Sequence, residues 1–78
     1  MSKIPFRTVE SILLGLPKSS KNLDFSNEEN SVFKIDNTIV VIPNNGIDLN
    51  HLMDILESQL GMSWWMIDYV LGQNGITS

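Results

Sequence analysis

The sequence has no cysteine, a single histidine and no apolar run long enough to cross a membrane. Without cysteine, neither a disulfide nor a thiolate metal site can stabilise this chain of 78 residues. Its apolar runs fall short of the roughly 18 residues of a membrane span, and its first residues show no signal-peptide core. We therefore expect one small domain, cytoplasmic in a cell or an infected host cell, stabilised by packing and by association with other chains.

The residue types that usually carry catalysis are scarce and scattered. His51 is predicted to lie in the first turn of a helix and to point to solvent. Glu28 and Glu29 are adjacent in a polar turn, which suits solvation better than acid–base work. No cluster has metal-ligand spacing, and the glycines form no phosphate-binding loop. The sequence predicts a non-enzymatic protein without cofactor or metal.

Basic residues are missing from the second half of the chain. The net charge is −4, and all five Lys and Arg residues lie at or before Lys34. From residue 35 onwards the charges are those of Asp36, Asp48, Asp54, Glu57 and Asp68. This half carries either ordinary solubilising charge or a surface complementary to a basic partner. Nucleic-acid binding is disfavoured, because proteins that bind phosphate usually present a basic patch.

The first half predicts one helix and the start of a sheet. Apolar residues at helical spacing indicate a helix over about residues 5–15, followed by a loop over 18–22. Residues 23–25 alternate in the manner of a short strand, and residues 32–35 form a strand with Phe33 and Ile35 on one face. Asp36 and Asn37 suit a two-residue hairpin turn. Residues 38–42 are the strongest strand, predicted to be central or buried on both faces.

Two helices are predicted to follow. Asp48 is the N-cap of the first, and Ile47 and Leu52 have the spacing of a hydrophobic staple. Gly61 ends that helix, and Ser63 is the next N-cap. The fold class is therefore α+β: a helix, a two- to three-stranded antiparallel sheet, then two C-terminal helices. Residues 1–78 form a single domain, of which 73–78 are a predicted flexible tail.

The last helix is apolar nearly all round, because Asp68 is its only charged residue between Trp64 and Leu71. Such a helix must be covered on almost every side, and a short chain has little left to cover it. Either both tryptophans belong to the core, or at least one of them faces a partner or a second copy, as large aromatics do at interface centres.

The run IVVIPNNGIDL from Ile39 to Leu49, followed by LMDILESQLGMS from Leu52 to Ser63, resembles the C-terminal half of HicA-type toxins. In that family a strand ends in a V-x-V-P-like motif, and a polar loop and an L-x-x-I-L-x-Q-x-G helix follow. The resemblance implies a fold like a double-stranded RNA-binding domain and cleavage of mRNA. However, Glu29, Asn30 and Ser31 stand where the family has its Gly-Ser-His motif, and the chain is acidic. The resemblance therefore implies a scaffold that has lost its nuclease.

The sequence as a whole predicts a small acidic interaction protein that binds a basic partner and forms a homo-oligomer, expected to be a dimer. The predicted partner-binding residues are Trp64, Trp65, Tyr69, Asp68, Asp54, Glu57 and Asp36. An inhibitor of a basic nucleic-acid-handling protein, of a phage anti-defence or antitoxin-like kind, fits this pattern. Two alternatives stay open: a HicA-like mRNA interferase with displaced catalysis, using His51, and a structural subunit of a homo-oligomer.

Overall fold

A computed structural model describes residues 3–76, which form an α+β fold with a three-stranded antiparallel sheet and three helices. The α+β class and the antiparallel sheet are confirmed. The elements are α1 (Phe6–Leu14), β1 (Ser19–Asn22), β2 (Asn30–Ile35), β3 (Thr38–Pro43), α2 (Leu49–Asp54), a π-helical segment (Ile55–Gln59) and α3 (Trp64–Gln73).

The sheet has the order β1-β2-β3, so β2 is its central strand. The predicted two-residue turn is present: Ile35 pairs with Thr38, and Asp36 between them has a φ of 56°. Phe33 and Ile35 share the buried face, as predicted, together with Val40 and Ile42 of β3. The core lies between this face and the helices, and α1, the π-helical segment and α3 all contribute to it.

Strand β3 is an edge strand with one exposed face, so the prediction of a central or doubly buried strand was wrong. Ile39 and Val41 are 53% and 51% exposed, although both are apolar. In the described part of the chain, helices cover only the other face, and no second layer covers the outer one. The continuous apolar run thus combines core residues with an uncovered surface.

Strand β1 occupies residues that were predicted to form a loop, and the predicted strand at residues 23–25 is a turn. Leu23 and Phe25 are 75% and 71% exposed. The polar strand exists because its backbone pairs with β2, Ser19 opposite Ile35 and Asn22 opposite Val32. Tertiary pairing here outweighs the low strand propensity of these residues.

The second predicted helix begins as expected and then changes geometry. Asp48 is its N-cap and accepts from the His51 amide at 2.8 Å. From Ile55 the helix widens into a π-helical turn, in which the Leu60 amide donates to the Ile55 carbonyl at 3.0 Å. Ile55 and Leu56, three and four residues after buried Leu52, are also buried. Gly61, with a φ of 66°, ends the segment, as predicted.

Both ends of the described chain are attached to the core. Ile4 and Ile47 form an isolated antiparallel bridge, with the Ile4 amide donating to the Ile47 carbonyl at 2.6 Å. At the other end, α3 includes Gln73, and Ile76 packs against the core. The flexibility of the tail over 73–78 stays a prediction, and its last two residues lie outside the described range.

Candidate interaction surface

Helix α3 is anchored by one narrow apolar stripe. Ile67 and Leu71, one turn apart, are each 2% exposed and belong to the core cluster. Ser63 stands at the predicted N-cap position in an extended conformation, but its side chain makes no capping hydrogen bond. The helix is therefore held by packing of this stripe rather than by its cap.

Both tryptophans lie on the surface, so the interpretation that placed them in the core was wrong. Trp64 is 74% exposed and Trp65 is 63% exposed. Tyr69, four residues after Trp65 and hence on the same side of the helix, is 64% exposed. Its hydroxyl accepts a hydrogen bond from Gln73 Nε2 at 2.8 Å, which orients the ring. A helix that is apolar all round is thus covered on one side only.

A cleft of about 200 Å³ lies between α3 and the helical run formed by α2 and the π-helical segment. The Trp64 side chain forms one part of its lining, and Ile67 and Leu71 lie within the same lining. Two carboxylates, those of Glu57 and Asp68, also line it. The cleft therefore has an apolar interior with acidic groups beside it. Together with the outward side of α3 it forms what we call the aromatic surface: Met53, Glu57, Trp64, Trp65, Asp68 and Tyr69.

The structure brings together five of the seven residues predicted for partner binding and leaves two apart from the cleft. Asp54 is exposed on α2, where its carboxylate accepts from the Ser58 hydroxyl at 3.2 Å. Asp36 lies in the turn between β2 and β3 and lines a second cleft with Met62 and Met66. Met53, which lines the first cleft, and Met66, which lines the second, were not among the predicted partner-binding residues.

Negative charge dominates the neighbourhood of the cleft. No Lys or Arg follows Lys34 in the sequence, so α2, the π-helical segment and α3 contain none. Within residues 3–76 the ion pair found joins Lys21 to Glu10 at 3.0 Å and links β1 to α1. Carboxylates beside a low-dielectric apolar wall attract cations more strongly than carboxylates in open water.

Residues with possible catalytic roles are not assembled around this surface. His51 is exposed in the first turn of α2, as predicted. Ser31 is buried in β2, and its hydroxyl donates to Asn44 Oδ1. Among residues 3–76, no group of three or more His, Cys, Asp or Glu side chains is placed to hold a metal ion. In the same range, no helix combines the length and the apolarity needed to cross a membrane.

Comparisons with known proteins add no relative: no family model, no curated protein and no solved structure matches the chain.

Proposed function

We propose that the chain is a small non-enzymatic interaction protein whose aromatic surface binds a basic segment of another protein. The observation that carries this proposal is the exposure of Trp64, Trp65 and Tyr69 together on one helix beside an acid-lined cleft. Large aromatics are costly to leave in water and are the residue type that most often anchors interfaces.

Charge complementarity selects the partner. Glu57 and Asp68 flank the cleft, and Asp54 lies exposed on the neighbouring helix. A partner segment with an apolar side chain for the cleft and Lys or Arg on either side satisfies both the apolar wall and the carboxylates. A second copy of this chain fits poorly at the same place, because its own Glu57 and Asp68 would meet like charges.

Glu57 lies where a carboxylate does not stabilise the fold. It belongs to the segment Ile55–Gln59, at the C-terminal end of the helical run that begins at Leu49. The helix dipole is negative there, so an acidic side chain is unfavourable. Stability therefore does not explain why an acidic residue stands at this position, whereas binding of a cationic group on a partner does.

An inhibitor of a basic nucleic-acid-handling protein is the setting that suits these properties. Such targets present Lys and Arg for phosphate, and a compact acidic surface with aromatic anchors competes for those groups. Acidic residues provide steering and a fast association rate, whereas the tryptophans provide most of the binding free energy. Binding should accordingly weaken as ionic strength rises.

The test is a binding titration with synthetic probe peptides, followed by the fluorescence of the two tryptophans. One probe is an amphipathic peptide of leucine and lysine, and the other has the same pattern with glutamate for lysine. We expect the basic probe to bind, binding to weaken with salt, and Trp65→Ala to raise its Kd at least about tenfold, the size of a hot-spot contribution.

Phe25→Ala is the matched control for this titration, because Phe25 is an equally exposed aromatic residue in the turn after β1. It should leave the Kd unchanged. Equal binding of the two probes, or equal effects of Trp65→Ala and Phe25→Ala, would refute the assignment of this surface.

The principal alternative is an mRNA interferase of the HicA kind. Its motif position holds Glu29, Asn30 and Ser31, of which Ser31 is buried and hydrogen-bonded to Asn44. The exposed His51 is then the remaining candidate base. RNA cleavage that disappears in His51→Ala would favour this alternative over a binding protein. A structural homo-oligomer, the third class, predicts that neither peptide probe binds.

A further inference from the structure

Within residues 3–76, the outer edge of β3 carries backbone groups that have no partner strand. In a two-residue hairpin the residues flanking the turn form a hydrogen-bonded pair, here Ile35 and Thr38. Bonding then alternates, so that Thr38, Val40 and Ile42 bond to β2. The amide and carbonyl groups of Ile39 and Val41 therefore point away from β2, towards the open edge of the sheet.

Bonds on either side of β2 support this alternation. The Asp36 amide donates to the Lys18 carbonyl at 2.8 Å, on the β1 side. At the far end of the hairpin, the Asn44 amide donates to the Glu29 carbonyl at 2.8 Å. Even-numbered residues of β2 thus bond to β1 and odd-numbered residues bond to β3, which leaves Ile39 and Val41 for the outer edge.

The side chains of these two residues are also uncovered. Ile39 and Val41 are about half exposed on the face of the sheet that no helix covers. Natural edge strands are usually protected by a charged side chain, a proline or a bulge. Strand β3 has none of these before Pro43, and its six residues include no charge.

We propose that β3 pairs antiparallel with β3 of a second copy of this chain, forming a continuous six-stranded sheet about a twofold axis at Val40. In this register Ile39 of one copy lies opposite Val41 of the other. Both pairs use the free edge groups, giving four backbone hydrogen bonds between the copies. The interface is self-complementary, as an isologous dimer requires.

Charge and side-chain chemistry favour a second copy over an unrelated strand. Along the outer face the row runs Ser20, Lys34, Ile39, then Val41, Val32 and Asn22 of the second copy. The apolar side chains meet in the middle, and the polar ones lie outside. No carboxylate of one copy faces a carboxylate of the other along this row, although each chain has a net charge of −4.

Pro43 sets the length of the pairing. It follows the two free-edge residues on the same side of the strand, and it has no amide hydrogen to donate. The pairing therefore extends over Ile39 and Val41 and stops. Such a short edge lies at the low end of interface sizes, so we expect a weak dimer with a Kd on the order of 10–100 μM.

The first test is sedimentation velocity of the full chain across about 10 μM to 1 mM, the range that brackets this Kd. Wild type should change from monomer to dimer. Val41→Pro removes a free-edge amide without removing a bond to β2, and Ile39→Lys places a charge at the centre of the interface. Each should raise the dimer Kd at least about tenfold. Ser20→Lys, on the outer face of the opposite edge strand, should not.

Amide hydrogen exchange tests the same proposal without any substitution. The amides of Val40 and Ile42 should be protected at every concentration, whereas those of Ile39 and Val41 should become protected only as concentration rises. Concentration-independent exchange at Ile39 and Val41, a wild-type monomer at 1 mM, or an unchanged dimer Kd in folded Val41→Pro would overturn the proposal. So would a dimer that Trp65→Ala alone dissociates.

Discussion

At the scale of single residues, Gly46 is the position where a side chain would be least tolerated. Its φ is 94°, and a Cβ at this position would press against the carbonyl oxygen of Ile4. That carbonyl accepts from the Ile47 amide in the bridge that fastens the N-terminal segment. We predict that Gly46→Ala lowers the free energy of unfolding by at least about 2 kcal/mol, from backbone strain and loss of the bridge together. Urea denaturation measures this.

Gly61 provides the matched comparison. Its φ of 66° is also left-handed, but a Cβ there meets no atom within 4 Å. Gly61→Ala should therefore cost only the conformational term, about 1 kcal/mol. If the two substitutions have equal effects, the close approach to Ile4 does not stabilise the fold.

At the scale of elements, α3 has two sides with different roles, and two single substitutions separate them. Ile67 is 2% exposed in the core, so Ile67→Ala should lower the free energy of unfolding by about 2–4 kcal/mol. Trp65 is larger but 63% exposed, and Trp65→Ala should change it by less than about 1 kcal/mol. Denaturant titrations of both variants make the comparison.

Acrylamide quenching of wild-type fluorescence gives an independent readout for α3. Because Trp64 and Trp65 are the only tryptophans and both are exposed, quenching should approach that of free tryptophan amide and increase little on unfolding. If the folded protein strongly protects the tryptophan fluorescence from quenching and Trp65→Ala greatly lowers the stability, these side chains belong to the core.

Sequence patterns predicted elements where local chemistry and packing agree. Asp48 caps α2, Asp36 occupies the hairpin turn, and the apolar stripe of α1 is buried, since each of these depends on neighbours in sequence. β1 could not be predicted, because polar residues 19–22 become a strand only through pairing with β2. The alternation of Leu23 and Phe25 predicted a strand, but these residues pair with no strand in the described part of the chain and form a turn instead.

The candidate site was predictable in its parts but not in its assembly. The excess of apolar residues on α3 over the chain available to cover them made an exposed tryptophan one of two alternatives, and the sequence could not decide between them. The cleft that joins Trp64 to Glu57 depends on how α3 packs against the π-helical segment. The widened turn after Ile55, in which the Leu60 amide donates to the Ile55 carbonyl, has no sequence signal of its own.

At the scale of the whole molecule, unbalanced charge should make stability depend on salt. From residue 35 onwards the chain has carboxylates and no Lys or Arg. Salt would weaken the ion pair between Lys21 and Glu10, but that pair is partly exposed and contributes little to stability. We predict that raising NaCl from about 20 to about 500 mM increases the free energy of unfolding, because screening reduces repulsion among the acids. Denaturation midpoints at both salt concentrations measure it.

Glu57→Gln separates this repulsion from general effects of salt. Removing a carboxylate from the C-terminal end of a helical run should stabilise the protein at low salt and reduce the gain from added NaCl. The same variant should weaken binding of the basic probe peptide. A variant that is less stable at low salt would mean that Glu57 has a stabilising partner and is not held there for binding.

The two proposed surfaces lie on different layers, the aromatic surface on the outward side of α3 and the β3 edge on the sheet, so their variants should act independently. Val41→Pro should weaken the dimer and leave the affinity of each chain for the basic probe unchanged. Trp65→Ala should weaken probe binding and leave the dimer intact, and the double variant should combine both losses. A dimer would then present two aromatic surfaces, so a probe with two tethered basic segments should bind wild type more tightly than Val41→Pro. If the tethered probe binds both proteins with equal affinity, the two aromatic surfaces of the dimer do not bind it at the same time.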